Sequence, residues 1–183
     1  MIIGLTGTIG AGKGTVVEYL KETKGFAHYS VRDFLMEELD SRGLSRDRDN
    51  LREVANALRL THSPSYLIEL AYARAVEKGG DALIESVRAI GEAEFLRANG
   101  AFLLAVDADR KLRYERIHAR GSSTDHVDFD TWVAQEEKEL ASTEPNEMNV
   151  IGVMHVADYR IENDGSLEEL HEKVEAMLAA FSK

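Results

Sequence analysis

A glycine-rich stretch, GTIGAGKGT from Gly7 to Thr15, follows directly on the apolar run MIIGLT. Its spacing fits G-x-x-x-x-G-K, with Gly7, Gly12 and Lys13 in the required places, and it lies where a strand would hand over to a helix. Glycines permit positive φ and close backbone approach, so the amides of Gly10, Ala11, Gly12, Gly14 and Thr15 can converge on phosphate oxygens. A helix starting at the end of the stretch adds its unpaired N–H groups and a positive dipole end. The dipole contributes about 0.3–2 kcal/mol, so Lys13 has to supply much of the remaining charge compensation. A flexible turn with a chance lysine is the competing reading, and the strand–loop–helix setting speaks against it. The stretch reads as a cradle for the phosphates of a nucleotide.

Phosphoryl transfer asks for charge compensation on both substrates and in-line positioning more than for covalent chemistry. Arginines near predicted strand ends are therefore the next candidates. ALIESVR ends a buried strand with Glu85 and follows it with Arg88. That carboxylate suits water around Mg²⁺, and the arginine suits an acceptor phosphate. Ser30, Arg32 and Asp33 stand where a second strand passes into a helix, and Arg32, Arg59 and Arg88 are the candidate acceptor contacts. For Arg32 and Arg59 a solvated helix face is an equal reading. Arg113, Arg116 and Arg120 share one helical stripe and lead into the loop-like GSSTDHV. Arg116 and Arg120 suit the closing of a lid over the transferring phosphate, which would exclude water.

The ending G-K-G-T, with Gly14 in place of the usual hydroxyl residue and Thr15 one step later, resembles the phosphate loops of adenylate kinase and related nucleoside monophosphate kinases. The resemblance implies that Thr15 supports phosphate or metal-bound water, with much of the Mg²⁺ shell made of water and phosphate oxygen. SVRDF resembles the place where such kinases start the acceptor helix with an aspartate, here Asp33; the arginine they often carry three residues later is Met36. The closing ADYRIENDGSLEELHEKV is similar to the last strand–loop–helix of dephospho-coenzyme A kinases, which implies that Asn163 to Gly165 border the donor base. A simple turn is the even alternative. STEPNEMNV resembles a segment of kinase-like domains joined to deoxycytidylate deaminases, but no H-x-E with a downstream P-C-x-x-C accompanies it. The N-K-x-D motif of GTPases is absent as well.

The elements that must hold these residues alternate along the chain. Short β-rich runs are predicted at Ile2–Thr6, Ala27–Ser30, Ala82–Ser86, Phe102–Asp107 and Tyr159–Asn163, several of them nearly continuous in apolar residues as expected for parallel strands buried on both faces. Helical patterns lie between them at Gly14–Glu22, Val31–Arg42, Leu51–Leu60, Pro64–Lys78, Ile90–Ala98, Arg110–Ala119 and Phe129–Ala141, with a last one after a possible Ser166–Glu169 capping box. The alternation predicts an α/β class, and the resemblance narrows it to a phosphate-loop NTPase of three α/β/α layers with about five parallel strands and a small helical lid at about 116–140.

Length and composition bound the rest. The 183 residues suffice for one domain, 1–183, and 44% hydrophobic content suits a globular chain. With no cysteine there is no disulfide or thiolate site, and the six histidines show no metal-ligand spacing. No stretch is long and apolar enough to span a membrane, and no signal peptide is visible, which favours the cytoplasm. The net charge of −11 argues against general nucleic-acid binding. The sequence thus leads to an ATP- and Mg²⁺-dependent phosphotransferase acting on a nucleoside or deoxynucleoside monophosphate, as a monomer or homodimer. Dephospho-coenzyme A kinase, or a nucleotide-binding switch or ATPase without a small-molecule acceptor, are the alternatives.

Overall fold

The computed structural model describes residues 1–121, 128–140 and 147–181. Five strands form one parallel sheet: β1 (Ile2–Gly7), β2 (Ala27–Ser30), β3 (Ala82–Glu85), β4 (Phe102–Asp107) and β5 (Tyr159–Glu162), in the order β2-β3-β1-β4-β5. The chain moves one way from β1 to β2 and the other way for every later crossover. Right-handed crossovers therefore put α1 (Lys13–Lys24) on one face and α2 (Val31–Ser41), α3 (Arg48–Thr61), α4 (Tyr66–Lys78) and α5 (Ile90–Ala98) on the other. After β4 come α6 (Arg110–Arg120), α7 (Phe129–Leu140) and α8 (Val150–His155); α9 (Leu167–Phe181) returns beside α1. This is the three-layer α/β/α fold of small phosphate-loop kinases.

Side-chain alternation sorts the core into two layers. Ile3 and Leu5 of β1 pack with Val16 and Leu20 of α1 and Val174 of α9. In β4, Leu104 and Val106 join that layer, while Leu103 faces the opposite one with Leu39, Ile68 and Leu96. Helix starts are fixed by short polar side chains: Ser30 Oγ accepts the Asp33 N–H at 3.1 Å, and Asp47 accepts the Asn50 N–H at 2.8 Å. The cap at Asp47 explains why α3 starts before the apolar pattern at Leu51 suggests. Glu169 N–H donates to Ser166 Oγ at 3.3 Å ahead of the α9 apolar stripe. The short helix α8 has no counterpart in the sequence pattern. Six residues with Gly152 inside give under two turns of periodicity, and its start rests on Asn149 Oδ1 accepting the Gly152 N–H at 2.8 Å.

Register brings the C-terminal strand ends together. Leu5 and Ser30 both lie opposite Glu85, Gly7 opposite Val106, and Asp107 opposite Glu162. The strand order reverses at β1, so the turn leaving β1 opens on the crevice where such sheets bind ligands.

Candidate functional site

A cleft of about 710 Å³ lies along this edge, lined by the β1–α1 turn, the end of β3, α2, α3, α6 and the start of α9. Two glycines of the turn are required by its geometry. Gly7 has φ 132°, and a Cβ there would lie 1.9 Å from the Val106 carbonyl oxygen; Gly12 has φ 95°, and its Cβ would lie 2.3 Å from Asn163 Nδ2. Gly10, Gly12, Gly14 and Thr15 line the cleft, and Ala11 is fully buried behind them. The amides of Ala11 and Thr15 donate to the Thr8 and Gly12 carbonyls at 3.4 and 3.1 Å, so the turn's own hydrogen bonds take part of the N–H set from Gly10 to Thr15. Lys13 Nζ donates to the carbonyls of Gly7 at 2.8 Å and Thr8 at 2.7 Å, which holds the ammonium over the concave side of the turn.

Glu85 ends β3 at the cleft, with His28 Nε2 at 3.1 Å from its Oε2. Burial alone would push this carboxyl up. The hydrogen bond with His28 and the charges of Lys13, His28 and Arg88 outweigh burial and hold it below its ordinary value of 4.5. A group with a depressed native pKa contributes stability above its unfolded value and loses it as pH falls through the native one. In thermal melts the advantage of the native protein over Glu85→Gln is therefore expected to shrink as pH is lowered from 7 through the carboxylate range. A constant difference across that range would remove the ion-paired role.

The residue after Glu85, Ser86, has φ 77°, a conformation costly for a side chain other than glycine, and it is buried at the cleft wall. The turn it opens carries Arg88 into the cleft. Arg32 also lines the cleft. Asp33 does not: it is exposed and outside the lining, because the Ser30 cap sets the turn of α2 so that Val31, Arg32 and Leu35 face inward. The expectation that Asp33 meets an acceptor is corrected accordingly. Arg59 reaches the cleft wall but is only 1% exposed, with Nε and Nη2 both on Glu92 Oε1 at 2.8 and 2.6 Å. Its reading as a direct acceptor contact gives way to a buried ion pair.

On the opposite side Arg116 and Arg120 line the cleft, and Arg116 Nη1 donates to the Asn163 carbonyl at 2.9 Å. Asn163 itself is buried. Its Nδ2 donates to the Ala11 carbonyl at 2.8 Å, so the amide clamps the glycine turn, a role different from the base contact expected for it. Arg113 turns inward from the same stripe: Nε donates to Ala108 O at 2.9 Å, Nη1 to Ile9 O at 3.1 Å, and the guanidinium pairs with Glu136 under Trp132. Trp132 and Glu136 are 0% and 1% exposed, so α7 is docked on α6 and the glycine turn. Of the segment 116–140 expected to form a lid, 122–127 lie outside the described residues. STEPNEMNV lies outside them up to residue 146; Met148 lines the cleft.

Sequence reasoning missed Arg48, Arg52 and His28. Arg48, Leu51 and Arg52 face the cleft together at helical spacing, a signal that was readable once α3 was started at the Asp47 cap. His28 was one of six histidines without metal-ligand spacing, and its partner Glu85 lies 57 residues away in the chain. Altogether seven arginines and Lys13 line the cleft, against Glu85 as the one lining carboxylate among the described residues. Arg59 is neutralised by Glu92, and the remaining cations still concentrate positive potential on one site of a chain of net charge −11. Among the described residues no group of three or more His, Cys, Asp or Glu could cage a metal. Thr15 and an ionised Glu85 fit Mg²⁺ of the kind that keeps most of its shell as water and phosphate oxygen.

Residues 3–142 match the AAA domain family. A UPF0200 protein of Thermococcus gammatolerans is 33% identical over 97% of this chain and 94% of its own, and one from Pyrobaculum aerophilum is 31% identical over 97% and 96%. Among solved structures, TT1252 from Thermus thermophilus superposes with a TM-score of 0.64 at 20% identity, covering 100% of this chain and 98% of its own. A shikimate kinase from Bacteroides thetaiotaomicron gives 0.63 at 13% identity (100% and 99%), and a gluconokinase from Sinorhizobium meliloti gives 0.60 at 17% (98% and 92%). At these identities the likeness to the solved structures is one of fold. No described helix is long and apolar enough to cross a membrane.

Proposed function

The chain belongs to the UPF0200 family and is built on an AAA domain, and from that premise we propose that it is an ATP-dependent phosphotransferase whose acceptor is a nucleoside or deoxynucleoside monophosphate. The single observation that carries the reading is the cation-lined cleft at the sheet's switch point, into which Lys13 and the glycine turn face. Lys13 bridges the donor phosphates, and the amides at the start of α1 bind their oxygens. Arg116 and Arg120 neutralise charge that builds on the transferring group, and Arg32 and Arg88 hold the acceptor. Thr15 and Glu85 hold Mg²⁺, which when bound supplies further neutralisation of the phosphate oxygens.

An acceptor phosphate oxygen attacks the γ-phosphorus in line, a new P–O bond forms, and the bond to the β–γ bridging oxygen breaks with its electron pair left on ADP. No proton has to be removed from the nucleophile. An alcohol acceptor, such as a sugar hydroxyl or the one on dephospho-coenzyme A, asks instead for a nearby base. Among the described residues Glu85 is the one carboxylate lining the cleft, engaged by His28 with its pKa depressed, and this favours the phosphate acceptor over the hydroxyl acceptors. The test incubates the protein with Mg-ATP and, separately, ribo- and deoxyribonucleoside monophosphates, dephospho-coenzyme A, gluconate and shikimate. ADP release that depends on a monophosphate is the expected result. Release that depends only on an alcohol overturns the acceptor assignment, and slow hydrolysis indifferent to every acceptor favours a nucleotide switch.

A further inference from the structure

Glu92, in the first turn of α5, is 0% exposed and carries two different loads on its two oxygens. Oε1 accepts both Nε and Nη2 of Arg59 on α3, at 2.8 and 2.6 Å. Oε2 accepts the backbone N–H groups of Arg88 and Ala89, at 2.7 and 3.0 Å. The Arg88 carbonyl is held from the other side by the Asn149 N–H at 2.7 Å. The peptide units on both sides of the Arg88 Cα are thus fixed, two residues beyond the unfavourable φ of Ser86.

Capping α5 needs only one carboxylate oxygen, and that is Oε2. The second oxygen and a fully buried guanidinium exceed what the helix start requires. As stability elements they are poor value, since a buried ion pair stabilises about as much as an apolar pair of the same shape, or less. What the pair achieves geometrically is to tie α3, whose Arg48 and Arg52 line the cleft, to the turn that carries Arg88. We infer that Arg59 and Glu92 are positioning residues for acceptor binding, holding the Arg88 guanidinium at a fixed place relative to the α3 arginines so that the two walls grip one anionic acceptor. The inference rests on the proposed reading of Arg88 as an acceptor contact.

The test uses steady-state kinetics of the full chain with an equimolar mixture of the common ribo- and deoxyribonucleoside monophosphates as acceptor, on Arg88→Ala, Glu92→Gln, Arg59→Lys and the Arg88→Ala/Glu92→Gln double variant. Glu92→Gln keeps a cap acceptor for the turn and removes the charge that holds Arg59. It is expected to raise the apparent acceptor KM about tenfold and to leave the KM for Mg-ATP within about twofold. In the Arg88→Ala background the same change is expected to add less than about twofold, because the two act through one contact. Arg59→Lys, which retains the charge and one donor, is expected to shift acceptor KM in the same direction by a smaller factor, and it carries the test if Glu92→Gln does not fold. A merely structural pair would lower the melting temperature and leave both KM values where they were, and that overturns the inference. Parallel rises in the KM for acceptor and for ATP overturn it too. If Arg88→Ala leaves acceptor KM unchanged, or the mixture elicits no ADP from the unaltered protein, the reading of the site fails and the inference with it. If Arg88→Ala raises KM and neither Glu92→Gln nor Arg59→Lys does, only the inference falls.

Discussion

Lys13→Ala is expected to lower turnover about a thousandfold, which is about 4 kcal/mol of transition-state stabilisation, while the protein remains folded. The size follows from what the ammonium faces. Its Nζ sits over the glycine turn within hydrogen-bond distance of two carbonyls, in a cleft whose wall already concentrates positive charge. A phosphate tail entering there takes the ammonium over from the two carbonyls at short range, and no backbone amide supplies a full charge in its place. The fold survives because the two carbonyls released, Gly7 and Thr8, lie at the cleft, where water replaces Nζ at a cost of about 1 kcal/mol each. Acceptor-dependent ADP formation measures the rate, and circular dichroism with a thermal melt establishes the fold. Turnover within about tenfold of the native rate would take Lys13 out of the mechanism.

Glu136→Ala is expected to be among the most damaging single changes outside the cleft, at about 3 kcal/mol. Arg113 is buried, and its guanidinium is satisfied by Glu136, Ala108 O and Ile9 O, with its Cζ 5.3 Å from the centre of the Trp132 ring. Removing the carboxylate leaves the charge beneath α7 with only Asp107 Oδ1, at 3.7 Å from Arg113 Nε, to offset it; Arg110 Nε, at 3.5 Å from Glu136 Oε2, adds a second positive charge to the same place. In a chain of this length the melting temperature would fall by about 6–12 °C. Trp132 is the only tryptophan, so its emission reports the site directly: a shift to longer wavelength in Glu136→Ala below the melt is expected as α7 loosens. Unchanged emission and a melt within about 2 °C of native would show that the pair carries little.

The central strands were legible because burial on both faces writes itself as uninterrupted apolar runs. Phe102–Asp107, buried along its middle, is found at the position its composition implies. The glycine turn was legible because its function constrains φ and spacing together. What stayed hidden is non-local or too short to repeat. Arg59 meets Glu92 across 33 positions and Arg113 meets Glu136 across 23, and no window of sequence displays either partner. Asp33 and Arg32 are adjacent, so a displacement of about 100° around α2 separates a residue in the cleft from one in solvent. Arg48 was lost because a helix was begun at its first apolar residue instead of at its cap, and α8 because six residues contain no period to detect.

If Arg116 meets the transferring phosphate as proposed, its contact with the main chain at Asn163 has a consequence for how tightly a donor is held. A guanidinium that leaves water for a phosphate keeps the whole gain, but one that must first let go of a carbonyl keeps only the difference between two hydrogen bonds. That exchange makes the arginine's share of donor affinity small and leaves its larger worth for the moment when charge on the departing group grows. The peptide it lets go belongs to the residue whose side chain braces the glycine turn. Product departure can then be hastened by the same carbonyl reclaiming its partner, an arrangement that trades tight retention for fast cycling.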